Sequence, residues 1–146
     1  MDTKDKYLNL LSASKALIDK SVDDVANMAN LSKLIAEHFP HHWVGFYRVS
    51  GETLILGPFQ GPIACTSIPF GKGVCGKTWE TQTTQIVDDV HKFPGHIACS
   101  ALSNSEIVIP CIRDKNVFAV LDIDSTDFGT FSQLDKEYLE ELISYL

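Results

Sequence analysis

The residues of this sequence that most clearly offer chemistry are four cysteines: Cys65, Cys75, Cys99 and Cys111. In a cytosolic chain, such thiols are better candidates for free, reactive or metal-binding groups than for a structural disulfide framework. Cys99 follows His96 in a long loop predicted over residues 88–105, and the nearby imidazole could favour the thiolate. Cys111 follows Pro110 within a predicted strand, which indicates a buried and inert thiol. We therefore expect reactive-thiol chemistry at Cys99.

Three carboxylates on two neighbouring strands form a second group of candidates. In the strand predicted over residues 117–124, alternation places Asp122 and Asp124 on one face. That face also carries Phe118 and Val120, and the other face carries Val117, Ala119, Leu121 and Ile123. Glu106 begins the adjacent antiparallel strand, and the tight connection over residues 113–116 can bring it near either aspartate. Because three close carboxylates repel, at least one pKa should be raised, which predicts a general acid or a cation site.

Two aromatic residues of the first predicted strand complete the candidate site. Trp43 and Tyr47 share one face, and Gly45 between them leaves a gap bordered by two rings. An aromatic pair alone is typical of a core. Together with the carboxylates, it resembles a pocket for an ammonium group and an apolar methyl group.

Two other motifs point to different chemistry, and their context argues against both. Residues 71–78 fit the pattern G-x-x-x-x-G-K-[ST], which is typical of nucleotide hydrolases. A P-loop should follow a buried parallel strand, whereas Pro69 precedes this one, so phosphate binding is the less favoured alternative. His91 and His96 could suggest a metal, but the sequence has no C-x₂₋₄-C pair, so we expect no metal site.

The elements that must position these residues form an α+β pattern. Helices are predicted over residues 3–19 and 21–38, the second with Ser21 as its N-cap. Strands or extended segments are predicted over residues 43–49, 53–56, 64–68, 83–87, 106–112 and 117–124, with a short helix over 77–80. Ser132 and Asp135 resemble a capping box that opens the last helix. We expect a central antiparallel sheet of about six strands with N-terminal and C-terminal helices packed on it.

The composition of the chain limits the number of domains and the classes of partner that we expect. A chain of 146 residues, 45% of them hydrophobic, fits one domain over residues 1–146. Twelve Lys and Arg against nineteen Asp and Glu give a net charge of −7, so nucleic acid is not an expected partner. Residues 1–6 are polar, and no run approaches the ~18 apolar residues of a membrane span. We therefore expect a cytosolic protein without membrane association.

Several stretches of the chain match one known family. They are WVGFY (43–47), LGPFQG (56–61), IPFGKGVCG (68–76), FPGHIAC (93–99), SNSEIV (103–108) and LDIDS (121–125). In these motifs and in the spacing of three cysteines, the sequence closely resembles the free methionine-(R)-sulfoxide reductases, cytosolic enzymes built on a single GAF domain. Ser100 departs from the aspartate that the family commonly carries after its catalytic cysteine, and Cys111 is an additional thiol.

The resemblance implies a reaction and a role for each candidate. The Cys99 thiolate would attack the sulfoxide sulfur of free L-methionine-(R)-sulfoxide, leaving methionine and a sulfenic acid. Cys65 would be the resolving thiol, with Cys75 an alternative or relay, and thioredoxin would reduce the disulfide without a bound cofactor or metal. Glu106, Asp122 and Asp124, the acidic cluster, would hold the substrate and assist proton transfer. The aromatic pair, Trp43 and Tyr47, would surround the S-methyl group.

The resemblance further suggests that backbone amides of the Cys99 loop meet the substrate carboxylate, and that a homodimer forms through the N-terminal helices. The competing hypothesis is a non-catalytic GAF sensor that binds a small ligand, for which the three-cysteine set would have no purpose.

Overall fold

The chain forms a six-stranded sheet with helices on both of its faces, in a computed structural model that describes residues 1–97 and 99–146. The helices are α1 (Thr3–Leu17), α2 (Asp24–His38), α3 (Gly73–Thr81) and α4 (Gln133–Ser144), with a 3₁₀ turn at Val90–Lys92. The strands are β1 (Trp43–Ser50), β2 (Thr53–Gln60), β3 (Ser67–Pro69), β4 (Gln85–Val87), β5 (Ser105–Arg113) and β6 (Asn116–Ser125). Their order is β3-β2-β1-β6-β5-β4, and neighbouring strands pair antiparallel, which confirms the predicted α+β class.

Helix caps agree with the sequence at one helix and correct it at another. The capping box of α4 is confirmed, since the Ser132 amide donates to the Asp135 carboxylate at 2.8 Å. The N-cap of α2 is Asp23, whose carboxylate accepts from the Ala26 amide at 3.0 Å. The prediction of Ser21 was wrong because its hydroxyl donates to Asp19 at 2.6 Å, within the turn that precedes the helix.

The sheet separates two apolar clusters. On one face, buried side chains of α1, α2 and α4 pack against β1, β5 and β6, and Leu10, Leu31 and Leu142 are completely buried there. Burial of each such side chain contributes roughly 1.5–3 kcal/mol. On the other face, α3 and the segment before β5 cover a smaller cluster that includes Trp43, Tyr47 and Cys75. The candidate residues therefore lie on the side of the sheet that the terminal helices leave free.

The β5–β6 hairpin fixes the orientation of the acidic residues. Its two-residue turn has positive φ at Asp114 (52°) and Lys115 (66°), as a tight type I′ connection requires. A β-bulge opposite Cys111 and Ile112 leaves Phe118 without a partner in β5. Val117 consequently packs with the smaller cluster, and Phe118 with the larger one, so the predicted faces of these two residues were wrong.

Two element boundaries differ from the prediction and move two cysteines. Strand β3 begins at Ser67 rather than at residue 64, so Cys65 lies in the preceding loop. Helix α3 begins at Gly73 rather than at residue 77, so Cys75 lies on the helix. Gly73 has φ +62°, a conformation that glycine adopts readily. The chain can therefore turn at this residue and begin the helix earlier than the sequence pattern predicted.

The structure also shows that residues 71–78 do not form a P-loop. The strand before it, β3, is a three-residue antiparallel edge strand rather than a buried parallel one. Lys77 pairs with Glu80 at 2.6 Å, and the buried Thr78 hydroxyl donates to the Val74 carbonyl within the helix. Within the described residues, none of the helices combines the length and apolar character needed to cross a membrane.

Candidate active site

The predicted carboxylates meet on one face of the sheet, across adjacent strands. Strand β6 lies between β1 and β5, and Asp124 is directly opposite Trp43 on one side and Glu106 on the other. Asp122 is opposite Gly45 and diagonal to Glu106. Directly opposed side chains have Cβ atoms about 4.5–5.5 Å apart, so the pairing brings the three carboxyl groups together as the sequence predicted.

These carboxyl groups are largely removed from water. Glu106 and Asp122 are each 6% exposed, and Asp124 is partly buried. In the part of the chain that the structure describes, no Lys, Arg or His forms a salt bridge with any of them. Burial raises the pKa of all three, and repulsion from Asp122 and Asp124 raises the pKa of Glu106 further. The cluster therefore favours protonated carboxyl groups or a bound cation.

An aromatic wall stands beside the acidic cluster. The Trp43 ring stacks on Tyr47 with centroids 5.9 Å apart and on Phe59 at 5.2 Å. The predicted gap at Gly45 is filled, because a Cβ there would lie 2.6 Å from Cη2 of the Trp43 indole. Gly45 is thus the position that lets the indole lie flat against the strand, and the prediction of an open gap was wrong.

The wall is tied to the loop that carries Cys65. The Trp43 indole N–H donates to the Pro62 carbonyl at 3.0 Å, and the Tyr47 hydroxyl donates to the Cys65 carbonyl at 2.9 Å. Burial, followed by the nearby carboxylate of Asp122, raises the pKa of Tyr47, so this hydroxyl remains a donor. The aromatic residues therefore position a cysteine as well as lining the pocket, which the sequence did not indicate.

The four cysteines divide into a bonded pair and two free thiols. Cys65 and Cys99 form a disulfide with Cα atoms 5.4 Å apart, within the usual range for such a bond. Cys75 is buried on α3, where burial, Asp122 and Glu106 raise the pKa of its thiol. Cys111 is completely buried in the larger cluster, as expected of an inert thiol.

The loop around Cys99 is held by one contact from outside the loop and one within it. The Ser100 hydroxyl lies 3.1 Å from Nε2 of His42, and the Cys99 amide donates to the Ile97 carbonyl at 3.1 Å. Burial and the adjacent His91 lower the pKa of His96, which favours its neutral form. The prediction that this imidazole favours the Cys99 thiolate stays a prediction, because Cys99 is part of a disulfide here.

One cleft unites these groups. Cys99 lines it together with residues of the acidic cluster, the aromatic wall and the adjoining loops: Trp43, Tyr47, Ile63, Ala64, His96, Ile97, Ser100, Ser103, Glu106, Asp122 and Asp124. Its volume is about 40 Å³, room for only a few water molecules. The sequence did not reveal Ile63 or Ser103, since an exposed loop isoleucine and a buried serine carry no distinctive signal. Cys75 lies behind the cleft, next to Glu106 and Asp122.

Fold and cleft together define a GAF domain. The GAF domain family matches residues 19–146, and the chain belongs to it. The free methionine-R-sulfoxide reductase of Saccharomyces cerevisiae is 49% identical over 142 residues, covering 91% of this chain and 79% of the relative. That of Escherichia coli (strain K12) is 44% identical over 147 residues, covering 100% of this chain and 89% of the relative.

A solved structure agrees with these relatives. The free methionine-R-sulfoxide reductase of Neisseria meningitidis, in complex with its substrate, superposes with a TM-score of 0.96 at 44% identity, covering 99% of this chain and 88% of the other. Within the GAF family, this chain belongs to the free methionine-R-sulfoxide reductases.

Proposed function

We propose that this protein reduces free L-methionine-(R)-sulfoxide to methionine by thiol chemistry at Cys99. The observation that carries the proposal is the Cys65–Cys99 disulfide, which borders a cleft lined by buried carboxyl groups and an aromatic wall. A disulfide at such a cleft is the product expected when a sulfoxide oxidises a thiol and a second thiol resolves it. The names of the relatives support the same reaction.

Each part of the free amino acid has a matching group in the cleft. The carboxylates of Glu106, Asp122 and Asp124 suit the ammonium group, and the rings of Trp43 and Tyr47 suit the S-methyl group. Amides of the Cys99 loop suit the substrate carboxylate. A methionine inside a peptide has no free ammonium group, so this arrangement favours the free amino acid.

The first chemical step transfers oxygen from the substrate to Cys99. The Cys99 thiolate attacks the sulfoxide sulfur, and a buried carboxyl group donates a proton to the sulfoxide oxygen. The protonated oxygen then moves to the Cys99 sulfur as its bond to the substrate sulfur and the transient S–S bond break. Glu106 and Asp124 are suited to this donation because burial, followed by repulsion from Asp122, raises the pKa of each carboxyl group well above its ordinary value. The substrate sulfur gains two electrons and leaves as methionine, while the Cys99 sulfur loses two and becomes a sulfenic acid.

The second step makes the disulfide. The Cys65 thiol attacks the Cys99 sulfenic acid and water leaves, so that two thiol hydrogens and the sulfoxide oxygen are accounted for. Cys75 is a poorer resolving thiol because its burial and the adjacent carboxylates disfavour the thiolate. A dithiol protein, for which we propose thioredoxin, then returns two electrons to the disulfide. This cycle needs no bound cofactor and suits the cytosol, where such reductants maintain thiols.

In the proposed cycle, the disulfide form is the last state before reduction. Its cleft is small, with a volume of about 40 Å³. Reduction breaks the bond between Cys65 and Cys99, and we expect the loop around Cys99 to rearrange so that substrate can enter and meet the loop amides.

We also propose a homodimer through the N-terminal helices. Four apolar side chains of α1, of the turn that follows it and of the first turn of α2 are between 40% and 47% exposed: Leu8, Leu17, Val22 and Val25. A contiguous patch of exposed apolar residues is typical of protein interfaces. Light scattering after size exclusion should give the mass of two chains, and Leu8→Lys should shift it toward one.

The activity is tested with separated epimers. Free R-sulfoxide, free S-sulfoxide and a peptidyl sulfoxide are supplied in turn with thioredoxin and its reductase, and methionine formation is measured. We expect turnover of free R-sulfoxide alone. Binding of the R-sulfoxide without any turnover would instead favour a non-catalytic sensor, and equal turnover of the peptide would contradict recognition by the acidic cluster.

Cysteine variants separate attack from recycling. Cys99→Ser should form no methionine even in a single stoichiometric turnover, since a hydroxyl cannot replace the thiolate. Cys65→Ser should release about one methionine per subunit in a burst and then cycle poorly, because the sulfenic acid has lost its resolving thiol. Cys111→Ser is the matched control and should behave as the wild type. Undiminished cycling by Cys65→Ser would assign resolution to Cys75.

A further inference from the structure

Cys75 has no part in the reaction proposed above, yet its thiol lies against two groups of the acidic cluster. It is 3% exposed on α3, while Glu106 is held by β5 and Asp122 by β6. Its Sγ and one carboxylate oxygen from each acid all lie within 4.8 Å of one another. Three different elements therefore bring one sulfur and two oxygen ligands to a common point.

A second observation concerns Asp122 alone. Its Oδ1 atom is buried without a hydrogen-bond partner, and the residue is 6% exposed. A buried carboxylate oxygen without a donor is costly, and a cation placed against it would remove that cost. The unpartnered atom therefore points to a ligand rather than to a purely structural cluster.

We propose that Cys75, Glu106 and Asp122 bind a thiophilic divalent cation, Zn²⁺ or Cd²⁺, which competes with the ammonium group of the substrate. Bonds of about 2.3 Å from zinc to sulfur and 2.0–2.2 Å to oxygen place tetrahedral ligands about 3.4–3.6 Å apart. The three ligand atoms, all within 4.8 Å of one another, can reach those separations with small side-chain adjustments. Binding expels the thiol proton of Cys75 and any proton held by Glu106, without a change of oxidation state.

The ligand set determines which ions bind. A thiolate with two carboxylates suits zinc and cadmium, whereas Mg²⁺ and Ca²⁺ prefer six or more oxygen ligands. In the disulfide form, the cleft has a volume of about 40 Å³ and is lined by Glu106 and Asp122, so an ion that enters it meets two of the three ligands. Metal binding stands independently of the reductase reaction, and only the competition with substrate rests on the proposed function.

The disulfide form provides a direct test. With Cys65 and Cys99 joined, the free thiols are Cys75 and Cys111. Titration with Cd²⁺ should produce an ultraviolet thiolate-to-cadmium charge-transfer band that saturates at one ion per chain, with release of at least one proton. Cys75→Ser should abolish the band, and Cys111→Ser, the matched control, should retain it. Mg²⁺ at the same concentration should not compete.

Carboxylate variants test the oxygen ligands. Glu106→Gln and Asp122→Asn should each weaken Cd²⁺ binding at least tenfold, and circular dichroism verifies that each variant is folded. If a variant does not fold, competition between Zn²⁺ and Cd²⁺ for the wild-type band tests the same site. A band that survives in Cys75→Ser, or the lack of saturable binding by the wild type, would overturn the proposal.

Competition with substrate is measured in reduced Cys65→Ser, which cannot form a Cys65–Cys99 dithiol site. Zn²⁺ should raise the sulfoxide concentration needed for the methionine burst, and a chelator should reverse the effect. Adding Cys75→Ser should make the burst at least tenfold less sensitive to Zn²⁺. Sensitivity unchanged by Cys75→Ser refutes competition at this site, whereas a missing burst with an intact Cd²⁺ band refutes the reductase proposal alone.

Discussion

Removal of the Cys65–Cys99 disulfide should lower the free energy of unfolding by an amount that the structure allows one to calculate. The bond joins residues 34 positions apart. In the loop-closure treatment, a cross-link of this length reduces the entropy of the unfolded chain by about 12–13 cal/mol/K, or about 4 kcal/mol at 25 °C. The oxidised protein should therefore be more stable than its reduced form by about that amount.

The measurement is urea unfolding of the oxidised wild type against a Cys65→Ser/Cys99→Ser double variant. With a slope of about 2 kcal/mol/M, the midpoint of the variant should lie about 2 M lower. Wild type in excess dithiothreitol should match the double variant, and oxidised Cys111→Ser serves as the control with the disulfide intact. A difference below about 1 kcal/mol would refute the loop-closure reasoning and indicate that the reduced unfolded chain is already compact.

Three further predictions concern the cleft. Gly45→Ala should lower the free energy of unfolding by about 1–3 kcal/mol in urea, because its Cβ would displace the Trp43 indole. The same displacement should raise the KM for sulfoxide. An unchanged KM would show that the indole does not form the substrate wall. Glu106→Gln should be more stable than the wild type at pH 8 and no less stable near pH 4. The raised pKa of Glu106 means that the folded state loses stability as pH rises through that pKa, so equal slopes in thermal melts from pH 4 to 9 would contradict this assignment. Tyr47→Phe should destabilise the oxidised protein by about 1 kcal/mol, since the Cys65 carbonyl loses its donor, and calorimetry on oxidised and reduced protein would show whether the loss is confined to the oxidised form.

Strand alternation was enough to predict how the acidic residues meet. The period of two placed Asp122 and Asp124 together, and the short hairpin implied that Glu106 would face them, as the register confirms. The same rule failed at Phe118, because a bulge inserts a residue without any marker in the residue types. Local pattern therefore predicts side-chain direction only as far as the nearest irregularity in pairing.

The remaining errors arise from packing, which the sequence expresses only indirectly. A small residue between two aromatic residues suggested open space at Gly45, but the neighbouring indole of Trp43 folds over it. The contacts from Tyr47 to Cys65 and from His42 to Ser100 join residues far apart in the chain. Neither contact follows from secondary-structure propensity or residue spacing, because both depend on how the loops pack on the folded sheet.

The two-residue turn at Asp114 and Lys115 controls more than the reversal of the chain. Asp124 lies eight residues beyond the start of β6, roughly 27 Å from the turn along an extended strand. An added residue in the turn that shifted the pairing of β6 by one position would direct Asp122 and Asp124 into the apolar layer beneath the terminal helices, and Leu121 and Ile123 into the cleft. Substitutions that tolerate positive φ leave that phase intact. The number of residues in the turn therefore matters for the chemistry at the far end of the hairpin, whereas the types of those residues can change.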